Sequence, residues 1–562
     1  MITHDVVVIG GGLSGLRCAI ELHEKGVDVA IISKVPPIRS HSGAAQGGIN
    51  ASLGSDDSWE SHAFDTVKGS DYLADQDTVE ILCREAPDRV IEMEHWGTNF
   101  SRKDDGTIAQ RPFGGAGFPR TCYAGDRTGH NLLHTLHERV LRAGIKVYRE
   151  WLVTKIVIED NRCQGFVAMN LLNSELEVFK TKATVLATGG YGRIYERSTN
   201  AIINKGFGIS LAYRAGVPMQ DMEFVQFHPT TLWGTNILIT EGARGEGGYL
   251  YNKDHERFMK DYAASSMELA PRDIVARSIQ QEIDEGRGFP GGYVHLDITH
   301  LGKDLIEKRL GGIRQISIDF AGIDPVEEPI PVQPGQHYSM GGISSDKDGA
   351  TPANGLYAVG ECACISVHGA NRLGGNSLLD TVVFGRRAGV HAADYVASLE
   401  EKEESEEDDA LEQALNNERT AISDMMGSDG ESYSGISEKL KKTMQENVGV
   451  FREKKKLQKA IEDIKKLEER AKSLKVKTTA KEFNLELLNA IELKGMLDLA
   501  HAIALGALVR EESRGAHYRT DFLERDDGNW LKHTLAYLTP EGPRLEYKEV
   551  NITTFQPQRR TY

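Results

Sequence analysis

The feature that most constrains this chain lies at its beginning. Val6-Val7-Val8-Ile9 is a continuous β-branched run without polar alternation, the pattern of a short strand buried in a parallel sheet. It runs into Gly10-Gly11-Gly12-Leu13-Ser14-Gly15, a G-x-G-x-x-G. A helix is expected over Leu16 to Lys25, ended by Gly26, and a second strand over Val27 to Ile32. Gly10 allows the tight turn, Gly12 lets backbone amides approach a pyrophosphate, and Gly15 allows close helix–strand packing. The helix N-terminus adds partial positive charge to that pyrophosphate. A lone G-x-G-x-x-G could be a glycine-rich turn in any βαβ unit; set strand–turn–helix–strand, it predicts a dinucleotide site. One departure is visible. The acid expected roughly 20 residues on, at the end of the second strand, to hold a ribose hydroxyl is replaced by Ser33-Lys34. Ser33 could accept that hydrogen bond instead.

A chain of 562 residues predicts about two to four domains. Its net charge of −17 leaves no basic footprint for nucleic acid. The six cysteines (Cys18, Cys83, Cys122, Cys163, Cys362, Cys364) are scattered without C-x-x-C, so they predict neither an iron–sulfur ligand set nor a disulfide framework. Cys362 and Cys364, two apart, are expected on one face of a strand as core filling. The first strand begins almost at Met1, and the stretch Leu497 to Val509 is short for a bilayer span and interrupted by His501. A soluble, cytoplasmic chain is therefore expected.

Further along, Leu132, Leu133, Leu136, Val140 and Leu141 recur at helical spacing over Asn131 to Ala143, closed by Gly144. Lys146 to Val185 reads as a run of strands ending in Gly189-Gly190. Residues 221–340 interleave histidines, acids, arginines and glycines, and read as a domain inserted into a nucleotide-binding one that resumes near 355. Residues 400–409 are almost all acidic, a solvated linker. Beyond them Leu457, Ile461, Ile464, Leu467, Ala471 and Leu474 form the stripe of a helix packed in a bundle, with Leu485 to Val509 as its buried partner.

Several motifs are too specific to read singly. Arg39-Ser40-His41-Ser42-Gly43-Ala44-Ala45-Gln46-Gly47-Gly48, Gln226-Phe227-His228-Pro229-Thr230, Thr240-Glu241-Gly242-Ala243-Arg244-Gly245-Glu246, Pro271-Arg272-Asp273, His337-Tyr338-Ser339-Met340-Gly341-Gly342 and His368-Gly369-Ala370-Asn371-Arg372-Leu373-Gly374-Gly375-Asn376-Ser377-Leu378 follow one another along the chain. With Glu512-Ser513-Arg514-Gly515-Ala516-His517 and Asn529-Trp530-Leu531-Lys532-His533, they resemble the succinate dehydrogenase/fumarate reductase flavoprotein subunits over essentially the whole length.

That resemblance implies an α/β fold: a Rossmann-like FAD-binding domain (1–220 and 341–399), an inserted α+β capping domain (221–340), a helical domain (400–520) and a C-terminal segment (521–562). It implies FAD, attached covalently to His41 through a ring nitrogen to the flavin 8α carbon. Gly10, Gly12, Gly15, Ser33, Lys34, Ser40, Ser42, Gly47, Gly48, Glu361, Ser377 and Leu378 match the other cofactor-binding positions. For substrate it implies succinate or fumarate, one carboxylate held by Arg372 and His337 and the other by His228 and Thr240. Arginine suits carboxylate because its fork binds bidentately. Arg272 matches the group that exchanges the proton, fed by Glu241 and Arg244. A guanidinium titrates far above neutrality, so its proton transfer has to be concerted with hydride movement and resupplied by a carboxylate. The histidines lack the spacing of a metal site, and no metal is expected. Electrons are expected to pass to an iron–sulfur partner subunit, with membrane association at the cytoplasmic membrane only through other subunits.

The chain departs from the family pattern at Lys205-Gly206-Phe207-Gly208, where Phe207 stands in place of an aspartate that contacts FAD. L-aspartate oxidase is the nearest alternative in the fold, lacking a histidine at the position of His41. A non-catalytic flavin electron-transfer subunit is the alternative of another class, and it gives Arg272 and its neighbours no task.

Overall fold

The computed structural model describes residues 1–399 and 407–561; most of the acidic linker, 400–406, lies outside the described residues. Strand β1 (Ile2–Ile9) lies inside a seven-stranded sheet. It pairs in parallel with β2 (Val29–Ser33) on one side and with Leu176–Leu186 on the other. Lys146–Arg149 extends the sheet beyond β2, and Leu356–Ala358 runs parallel to the end of Leu176–Leu186. Trp151–Glu159 and Arg162–Asn170 complete it as an antiparallel meander. Val6, Val7, Val8, Ile31 and Ile32 are fully buried, each contributing roughly 1.5–3 kcal/mol of apolar transfer.

Ile9 is in register with both Ile32 and Leu186, so Gly10 and Ala187 leave the sheet along one edge, beside Ser33 at the end of β2. That edge, at the carboxyl ends of parallel strands, is where open α/β sheets bind ligands. Helix α1 (Leu13–Glu24) starts three residues before the expected Leu16, because Gly12 is its extended N-cap. Gly15 therefore sits in the first turn, where an added Cβ would lie 2.0 Å from the Gly10 carbonyl oxygen. At Gly10 the backbone has φ +122°, and a Cβ would lie 2.1 Å from the Ala187 oxygen. Neither position tolerates a side chain, which is why glycine occupies both. β2 likewise begins and ends later than expected, at Val29 and Ser33.

Helix Asn376–Ser398 lies along α1, with Gly385 and Gly389 at the closest approach. A second apolar core gathers only residues between Leu232 and Val332. It is built on a four-stranded sheet (Val225–Leu232, Ile330–Ser339, Val294–Asp297, Tyr249–Tyr251) and helix Arg272–Asp284. In the helical region, Leu457, Ile464, Leu467 and Ala471 of helix Lys454–Ala471 are buried, and the long helix Leu485–Val509 is buried on nearly every face. Cys362 belongs to a single turn, Gly360–Cys362, and Cys364 to the strand Ala363–Cys364, so the two do not share a strand as expected. All six cysteines are buried.

A C-terminal hairpin, Lys532–Thr539 and Gly542–Glu549, joins the body by pairing with Met219–Gln220. At its start the buried His533 ring lies between two carboxylates, Nδ1 at 2.7 Å from Asp221 and Nε2 at 3.1 Å from Asp75. Burial alone would lower its pKa; the two aspartates outweigh that and raise it to about 9. Unfolded histidine titrates near 6.5. The stabilisation is therefore complete below about pH 6.5 and is lost as pH rises through about 9. Thermal melts should show stability on the order of 3 kcal/mol draining away across that window, and His533→Gln should lack this component. Parallel losses in both proteins would rule out His533 as the cause.

Candidate active site

A cavity of about 400 Å³ opens along the sheet edge and reaches the strands and helix of the second core. Gly10, Gly12, Ser33, Lys34, Ser40, His41, Ser42, Gly47, Gly48, Glu361, Ser377 and Leu378 all line it. So do His228, Thr240, Glu241, Arg272, His337 and Arg372. Gly15 lies off the cavity, making the helix–strand contact. Arg244 is buried beside Glu241 without reaching the cavity, its Nη1 donating to the Glu268 carbonyl.

Arg272 opens its helix directly after Pro271, the N-cap. Its Nε donates to Glu241 Oε2 at 2.7 Å and its Nη1 to Gln226 Oε1 at 3.2 Å. The other Glu241 oxygen accepts from Gly114 N at 2.6 Å. Burial would raise the Glu241 pKa, but Arg272 and Arg244 together bring it below the ordinary value, so it stays ionised.

Arg372 donates from Nη1 to Ser377 Oγ (2.8 Å) and from Nη2 to the same Gln226 oxygen (3.1 Å), and lies 4.2 Å over the Tyr338 ring. Its Nε is buried without a partner, and among the described residues no carboxylate forms an ion pair with it. Burial, followed by the charge of Arg272, lowers its pKa to about 9. At neutral pH it is a buried cation with neutral partners, the electrostatic complement of an anion.

The rings of His228 and His337 meet edge-to-face at 4.9 Å. Nδ1 of His228 lies 3.1 Å from the Thr230 carbonyl and Nδ1 of His337 lies 2.8 Å from Thr199 Oγ1, so neither Nε2 is engaged within the described chain. Burial and the neighbouring positive groups hold both pKa values well below 6.5, and both rings are neutral at pH 7.

His41 accepts a hydrogen bond at Nδ1 from Ala201 N (3.3 Å). Burial, then Arg193, lowers its pKa to about 4, leaving a neutral imidazole whose Nε2 is unengaged among the described residues. Its segment is held by helix Thr128–Ala143, where a Cβ on Gly129 would lie 2.2 Å from the Ser42 oxygen. The buried hydroxyl of Ser40 lines the cavity without a partner among the described residues. A glycine-walled cleft with an unpaired hydroxyl beside a helix N-terminus fits a dinucleotide.

Gln226, which fixes the spacing of the two guanidiniums, was not singled out from sequence. Its signal was its place two residues before His228 on one strand. Thr199 and Gly114 gave no signal, since both act from loops brought in by the fold.

A family model described as "FAD binding domain" matches residues 5–378, and one described as "Fumarate reductase flavoprotein C-term" matches 437–562. The chain is 46% identical to the fumarate reductase flavoprotein subunit of Mycobacterium tuberculosis, over 100% of this chain and 99% of that protein. The chain belongs to the succinate dehydrogenase/fumarate reductase flavoprotein family. Its cofactor is accordingly FAD. Within the family it is also 46% identical to the succinate dehydrogenase flavoprotein subunit of Coxiella burnetii, covering 98% of this chain and 96% of that one. Among solved structures, a chain of E. coli quinol fumarate reductase superposes with a TM-score of 0.96 at 41% identity, covering 100% of this chain and 99% of the other. The Rossmann-like core, the second α+β core and the C-terminal helices are thus the architecture of this family.

Proposed function

We propose that this chain interconverts succinate and fumarate beside FAD, with Arg272 exchanging the proton. The observation that carries the reading is a pair of buried guanidiniums sharing Gln226, set with two neutral imidazoles on the cavity that His41 also lines. Arg372 and His337 hold one substrate carboxylate, and His228 and Thr240 hold the other. When bound, FAD supplies a hydride acceptor or donor at N5. The chain's own task is positioning and charge stabilisation at the substrate. Arg272 moves one proton at the carbon next to the hydride, and Glu241, with Arg244 behind it, restores its protonation. Residues 221–340 act as a capping domain over the FAD-binding domain (1–220 and 341–399) and exclude water. Residues 400–520 form the helical domain, and 521–562 the C-terminal segment.

In this reading, electrons pass to or from an iron–sulfur subunit, because the cysteines of this chain are scattered and buried. Among the described residues no helix is long and apolar enough to cross a membrane. The chain then sits at the cytoplasmic membrane through partner subunits. The test is substrate choice: with an artificial electron acceptor, succinate should drive reduction and L-aspartate should not. Aspartate turnover would favour the oxidase alternative.

Covalent attachment at His41 has its own test. Protein precipitated by acid should keep its yellow colour, while His41→Ser should release free FAD into the supernatant yet bind it under native conditions. Free FAD from the unmodified chain would overturn the linkage.

A further inference from the structure

Resting on FAD as the cofactor, we propose that Glu492 is the residue that reads the adenosine ribose hydroxyls, supplied to the nucleotide cleft by the helical region. In a G-x-G-x-x-G unit the ribose lies at the end of the second strand, where a carboxylate normally receives its hydroxyls. This chain has Ser33 there, whose one hydroxyl proton is committed to Val35 O at 2.7 Å, leaving a single neutral oxygen to accept where a carboxylate offers two charged ones. The other side chain that could have supplied an acid, at position 207, is a phenylalanine lining the same cavity.

Glu492 fills that role from elsewhere in the chain. It is 1% exposed, lines the cavity, and forms an ion pair with Lys34, the neighbour of Ser33. A second ammonium, Lys205, holds its other oxygen at 2.8 Å, and Lys205 also donates to Asn489 one turn earlier on the same helix. Burial would raise the Glu492 pKa, but the two lysines together bring it below the ordinary value, so the group is an ionised acceptor. Each carboxylate oxygen keeps lone-pair capacity beyond its one ammonium.

Phe207 explains how the helix gets there. Helix Leu485–Val509 crosses helix Phe207–Arg214 at Gly495, where a Cβ would lie 3.0 Å from the Phe207 ring and 2.3 Å from Ser210 Oγ. Gly495 is three residues after Glu492, so this close contact presents the carboxylate to the cleft on the same helix face. The aromatic ring at 207 docks the helix, and the helix carries the acid.

The experiment measures FAD affinity of the full chain in a His41→Ser background, where binding is reversible. FAD is compared with analogues lacking the adenosine 2′ or 3′ hydroxyl. The parent should bind at least one analogue about tenfold more weakly than FAD, the worth of one hydrogen bond to a charged group. Glu492→Gln should bind FAD about tenfold more weakly and lose that discrimination. Lys205→Gln/Glu492→Gln restores the parent's net local charge and should behave alike, which separates ribose reading from misfolding around an excess buried charge. Discrimination that persists at the parent's level against both analogues, in either variant, would overturn the proposal. A parent that fails to bind FAD at all would instead contradict the cofactor assignment.

Discussion

Arg272→Gln should lower kcat by on the order of 10³-fold or more while leaving FAD bound, because it removes both the proton carrier and a cation beside the substrate. Glutamine retains much of the side chain's volume and can still face Glu241 and Gln226, which now hold the arginine at 2.7 and 3.2 Å. The defect should therefore lie in chemistry more than in substrate binding, with KM changing far less than kcat. Glu241→Gln should follow in the same direction with a smaller loss, since Arg272 keeps its place but loses its resupply. Stopped-flow traces would separate the two effects. In Arg272→Gln the reductive step itself should be slow, and a normal reductive rate with slow turnover would refute the assigned role.

Arg372→Met should act on binding. The methionine fills the space over Tyr338, but Ser377 loses its donor, Gln226 keeps only Arg272, and the site loses a cation that has no carboxylate partner among the described residues. A lost charge-assisted bidentate contact in a buried site is worth roughly 3–5 kcal/mol, or about 10²–10⁴-fold in kcat/KM. Titrating a dicarboxylate against the flavin spectrum should show the same loss in affinity, whereas unchanged affinity would place the substrate elsewhere.

These two arginines illustrate what the sequence could and could not convey. The strand, glycine loop and helix at the N-terminus were legible because local physics decides them: a β-branched run, a turn only glycine can make, and a helix-forming stretch closed by Gly26. Their limits were blurred, since Gly12 caps the helix and moves its start to Leu13. Cys362 and Cys364 were misplaced on one strand, because Gly360, at φ +68°, begins a turn that takes in Cys362 before the strand starts. The histidines and arginines of the site were legible through their motifs. The groups that hold them were not, because those contacts join segments with no sequence relation: Gly114 to Glu241, Thr199 to His337, Gln226 to both guanidiniums. Glu492 is the extreme case, its place beside Lys34 depending on how a distant helix packs.

The central claim is that a bound flavin and a dicarboxylate exchange electrons within this chain, and anaerobic spectroscopy of the flavin tests it most directly. Succinate should bleach the oxidised-flavin band of the purified protein, and fumarate should restore it after reduction. A flavin that stays oxidised under excess succinate and stays reduced under excess fumarate would contradict the account.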